Sequence, residues 1–195
     1  MKKINQIGIA ILLLFMLSCN TDNESKNLNG CDSTNTIFNQ LYSNVLTTPP
    51  NIEEVTMDSQ LHSYTFEVTS PATICKIGYR SQPTFEIYPY LIEIYNNSTN
   101  TLVYSGNHTF SSANTEYVSI TPIVLTVGNS YTIKRIQNND TNDVTIFIGR
   151  VLRDNTNVGL NFPFTMGNLK ITSSSFGANA ASDNIYLPYI DIVFE

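Results

Sequence analysis

From residue 61 onward, apolar and polar side chains alternate with a period of two. Tyr64, Phe66 and Val68 interleave with Ser63, Thr65 and Glu67, and Tyr90, Ile92 and Ile94 with Leu91, Glu93 and Tyr95. This spacing predicts half-buried strands, because successive side chains of an extended chain point to opposite faces. Further strands are predicted over residues 74–79, 101–104, 117–120, 123–127, 131–136, 144–151, 169–173 and 187–194. In the last of these, Ile190, Ile192 and Phe194 alternate with Asp191 and Val193. Pro71 and Pro122 are expected to interrupt strands, and the polar runs 96–100 and 138–143 to form loops. About nine short strands with turn signals between them, and no helical period after residue 60, predict an all-β fold. The expected architecture is an antiparallel β-sandwich, jelly-roll-like. Helical spacing occurs only in residues 36–46, where Ile37, Leu41 and Val45 are four apart. Asp32, Ser33 or Thr34 could cap this segment and Pro49-Pro50 stops it. It is expected to be a short N-terminal helix or an irregular lead-in.

The first residues follow a different rule. Lys2 and Lys3 precede an apolar run that ends at Met16-Leu17-Ser18-Cys19. A transmembrane helix needs about 20 apolar residues, and this run is shorter. An ordinary secretory signal ends in an A-x-A-like site, which Met16-Leu17-Ser18 is not. The basic start, short apolar core and small residue before a cysteine resemble the signal of a bacterial lipoprotein. The resemblance implies removal of residues 1–18, a lipid on Cys19, and a cell-envelope location at the outer membrane. Residues 19–30 are almost wholly polar and read as a flexible tether. Within them Asp22 and Glu24 resemble the surface-export tag of Bacteroidetes lipoproteins, although a generic soluble linker would look the same. Residues 31–195 are then the sandwich domain.

Charge and cysteines narrow the partners. The chain has a formal net charge of −6, and loss of Lys2 and Lys3 with the signal takes it to −8. An acidic surface without a basic stripe argues against nucleic acid. With Cys19 acylated, Cys31 and Cys75 remain as a pair in an oxidising compartment, either as a disulfide or as two buried thiols.

Residues 64–136 carry a second resemblance. The strands at 64–68, 74–79 and 92–95, the Ser105-Gly106 turn, and Leu125, Gly128 and Tyr131 in the order L-x-x-G-x-x-Y are similar to jelly-roll modules of bacterial surface proteins. This resemblance is one of layout and implies a fold without a specified activity.

The chemistry-bearing residues are sparse. His62 and His108 lack a second ligand at metal spacing and read as surface-loop histidines. No G-x-S-x-G is present, and Glu67, Glu86, Glu93 and Asp191 read as solvated strand positions rather than a glycosidase pair. No enzyme activity and no cofactor are therefore expected. Asp140 and Asp143 in the polar loop are candidate ligands for a structural calcium, a solvated turn being the plainer reading. The chain has no Trp but 11 Tyr. Tyr79, Arg80, Tyr88 and Tyr90 flank a loop stiffened by Pro83 and Pro89. They form either an exposed binding platform or part of the sandwich core. The expected role is non-catalytic binding of a glycan or a surface protein, with a structural or assembly component, and after it a hydrolase with an unrecognised site, as the alternatives.

Overall fold

The computed structural model describes residues 30–57, 60–137, 147–156, 158–177 and 183–195. The signal and most of the tether lie outside them. One α-helix, α1 (Ile37–Leu46), buries Phe38, Leu41, Tyr42 and Val45. Its cap is Thr36, whose hydroxyl accepts the Asn39 N–H at 2.9 Å. None of the three residues named as caps serves: Asp32 accepts the Thr34 N–H at 2.8 Å instead, closing a local turn before the helix begins.

Twelve strands follow among the described residues: β1 (Asn51–Met57), β2 (Leu61–Val68), β3 (Ala72–Tyr79), β4 (Tyr90–Asn96), β5 (Thr101–His108), β6 (Glu116–Leu125), β7 (Ser130–Gln137), β8 (Phe147–Asp154), β9 (Phe164–Met166), β10 (Leu169–Phe176), β11 (Tyr186–Pro188) and β12 (Asp191–Phe194). They form a six-stranded sheet in the order β5-β4-β7-β2-β10-β9 and two three-stranded sheets, β12-β3-β6 and β1-β8-β11. All pairings are antiparallel. The pairs β4–β5, β3–β6 and β2–β7 nest inside one another, so residues 61–137 are one long hairpin wrapped across two layers. That wrapping is the jelly-roll-like element of the sandwich.

The inward phase follows the alternation. Tyr64, Phe66 and Val68 of β2 and Tyr90, Ile92 and Ile94 of β4 are buried, and they share one core with Ile74 and Ile77 of β3 and Ile192 of β12. The Tyr64 hydroxyl crosses the layers to the Ile190 carbonyl at 2.7 Å.

Three expectations are corrected. Pro122 does not divide a strand: β6 runs through it. It sits at a register shift, where residues 120–122 oppose Cys75 alone, on a strand at the sheet edge, so its missing N–H forfeits no ladder bond. The strand expected over 187–194 is two strands in different sheets, split at residues 189–190. Asp191 and Val193 are not solvated but buried, because the lead-in and α1 cover their face of β12. The Cys31–Cys75 disulfide ties that lead-in to β3, with Cα atoms 5.9 Å apart.

Candidate functional site

The tyrosine set divides between core and surface. Tyr79 and Tyr90 are buried and meet edge to face at 5.2 Å. The buried Arg135 guanidinium lies 5.3 Å from the Tyr79 ring centre and 5.2 Å from that of Tyr90. Tyr90 shares the inward phase of Ile92 and Ile94, so neither it nor Tyr79 can serve as an exposed platform. Arg80 is exposed, and its Nε donates to the Ser112 carbonyl at 2.7 Å. Glu86 accepts the N–H of the same residue at 2.5 Å. Two side chains thus clamp the backbone of one residue from both sides, and the bonds from Ser112 hold the Glu86 carboxyl below its ordinary range. The 3-10 turn Pro83–Phe85 buries Phe85 and presents Ile87 and Tyr88, 78% and 41% exposed. Tyr88 is the only strongly exposed aromatic ring among the described residues.

A cleft of about 350 Å³ opens elsewhere. One wall is the end of α1 and the turn after it, with Asn44, Val45, Thr48, Pro49, Pro50 and Asn51; the other is the segment 159–165, with Asn161, Pro163, Phe164 and Thr165. Asp154 at the end of β8 closes it. The walls are held by backbone and side-chain bonds. The Asn51 amide donates to the Val45 carbonyl at 3.0 Å, the Asn155 N–H to the Pro50 carbonyl at 3.1 Å, and the Leu160 N–H to the Asn184 carbonyl at 2.7 Å. Asn161, Pro163 and Thr165 are exposed in alternation with half-buried Phe162 and Phe164. The result is a pre-formed concavity of ligand-site size, with proline and phenylalanine surfaces and an amide and hydroxyl rim.

The titratable interior is centred on Asp191. Its Oδ2 accepts the hydroxyls of Tyr117 at 2.7 Å, Thr36 at 2.8 Å and Tyr189 at 3.4 Å. Burial pushes its pKa up to about 6 against the opposing pull of those donors. His62 is fully buried and stacked on Phe176 at 4.3 Å, which corrects its placement on the surface. His108 is half-buried in β5, 2.6 Å from the Tyr104 hydroxyl, and burial holds its pKa below the usual histidine value. Of the remaining carboxylates considered above, Glu67 pairs with Lys170 at 2.9 Å and Glu93 accepts the Tyr95 hydroxyl at 3.1 Å. Among the described residues no three His, Cys, Asp or Glu side chains converge as metal ligands. Cys19, Asp140 and Asp143 lie outside the described residues.

The cleft residues escaped sequence reasoning because they come from three separated segments. Pro49-Pro50 was visible only as a helix stop, and Asn161-Phe162-Pro163-Phe164 shows no clear strand period. No known family model matches the chain, and no curated protein matches it.

Proposed function

We propose that the chain is an exported, lipid-anchored envelope protein whose sandwich domain binds a glycan without catalysis, in the cleft between α1 and residues 159–165. The observation that carries this reading is the cleft itself. Its apolar faces suit the C–H surfaces of a sugar ring, and Asn44, Asn51, Asn161, Thr48 and Thr165 suit its hydroxyls. A glycan array followed by calorimetry on a positive sugar tests it. At least one oligosaccharide should bind, and Asn161→Ala and Thr165→Ala should each weaken it several-fold with unchanged melting. No bound glycan, or binding indifferent to both substitutions, would overturn the assignment.

A second reading, docking of a surface protein, is favoured by Ile87 and Tyr88 standing exposed on a clamped loop. Retention of a defined envelope partner by the wild type, and its loss in Ile87→Ala/Tyr88→Ala, would favour that reading.

A further inference from the structure

We propose that the cleft selects oligosaccharides carrying a protonated primary amine, which Asp154 recognises; this deepens, and rests on, the reading of the cleft as a glycan site. Among the described residues that line the cleft, Asp154 alone is ionisable. It ends β8 opposite Asn51 and is 9% exposed. Its Oδ1 accepts the Thr156 N–H at 2.6 Å and the Thr156 hydroxyl at 2.7 Å. Those two bonds hold the carboxyl below its ordinary range, so the group carries its charge at neutral and mildly acidic pH.

That charge has no ion-pair partner among the described residues. The charge of neighbouring Arg153 helps to lower the Asp154 pKa, but Arg153 directs its Nε to Glu54 and an NH1 hydrogen to the Asp154 main-chain carbonyl, not to the Asp154 carboxylate. Arg150 and Lys170 are engaged by Glu53 and Glu67. A carboxylate set beside proline and phenylalanine surfaces attracts a cation more strongly than one in open water. It also repels uronic acids and sulfated sugars. Calcium is a poor occupant, because it takes six to eight oxygens and Asp154 is the single carboxylate among the described residues of the lining. A sugar ammonium fits better: it is compact, offers three donors, and brings ring faces and hydroxyls for the rest of the cleft.

Three β-1,4-linked tetramers that differ only in the group at C2 provide the test: glucosamine, N-acetylglucosamine and glucose. Titrated at pH 6 against the full chain in detergent, the glucosamine tetramer should bind about tenfold or more tighter than the other two, the size of one charge-assisted bond. The preference should fade with added salt and as the pH rises through the titration of the amine. Asp154→Asn, which keeps an oxygen for the Thr156 turn, should bring the ratio near one. Equal binding of the three, a preference for the acetylated or neutral sugar, or a preference unaffected by Asp154→Asn would overturn the amine selectivity and leave the glycan reading standing. Failure of all three while the array yields another sugar at this cleft would do the same. Failure of every sugar would overturn both.

Discussion

The Tyr117 hydroxyl donates to Asp191 at 2.7 Å by passing over Gly78. The three residues lie on one rung: Gly78 of β3 pairs with Asp191 of β12 on one side and with Tyr117 of β6 on the other. A Cβ at position 78 would stand 2.5 Å from Tyr117 Cε1 and 3.1 Å from Asp191 Cβ. Only glycine leaves room for the ring to reach across the middle strand. Gly78→Ala is therefore expected to lower stability by about 2–4 kcal/mol, combining overpacking with a weakened bond to a buried carboxylate. Tyr117→Phe should cost about 1–3 kcal/mol by removing a donor while leaving the strand geometry alone. Urea denaturation of the two variants decides the point; a Gly78→Ala protein as stable as wild type would contradict it.

Asp191 also makes stability depend on pH. Burial raises its folded pKa from 3.8 to about 6. Between those values the folded state holds a proton that the unfolded state has lost, so stability falls as pH rises through this window. The stabilisation is fully present below about pH 4 and lost above about pH 6, a change on the order of 3 kcal/mol. His108 opposes it, because its lowered pKa costs stability as the pH falls in the same range. The difference between wild type and Asp191→Asn isolates the effect: the wild-type curve should slope downward from pH 4 to 6.5 relative to the variant. Parallel curves would place the proton elsewhere.

The disulfide closes a sequence separation of 44 residues and fastens the lead-in over β12. Replacing both cysteines by serine should lower stability by about 2–4 kcal/mol. Loosening of the lead-in should also admit water to Asp191 and so weaken the burial that raises its pKa, and the double variant is expected to lose part of the pH dependence of Asp191. Denaturation across pH, with and without reductant, measures both effects.

Core and surface tyrosines should separate sharply. Tyr79→Ala and Tyr90→Ala each remove a buried ring packed on Arg135 and should cost about 3–5 kcal/mol. Tyr88→Ala should stay within about 0.5 kcal/mol of wild type. Thermal melting of the three variants would reveal an error in this partition.

The lipid proposal rests on the signal pattern that ends at Cys19. Cys19→Ala is expected to move the protein from the membrane fraction to the soluble fraction and to abolish incorporation of labelled fatty acid. A Cys19→Ala protein that stays membrane-bound would require a different anchor.

The alternation of residues 64–68 and 90–95 was enough to identify which side of each strand faces the core, because side-chain direction in a strand is a local property of the backbone. The hairpin across residues 96–100 and the helix stop at Pro49-Pro50 are local in the same sense. The nested wrapping of β2 to β7 was legible only as a fold class. The missed strands β1 and β9 are short or weakly patterned, and they take their place by pairing with β8 and β10.

What the sequence by itself determined was the class of fold and the inward phase of its longer strands; it left Cys31 and Cys75 as a disulfide or two thiols, and the structure bonds them. Tertiary structure alone decided whether the second face of a strand meets water. Asp191 looks like a solvated position until Thr36, 155 residues away, caps it. Tyr79 and Tyr90 read as either platform or core until Arg135 packs against both. The cleft is the same kind of outcome, since residues 44–51, 154 and 159–165 become neighbours only when α1 docks beside β1 and β9. Burial and concavity arise from contacts between distant segments, and no spacing within one segment records them.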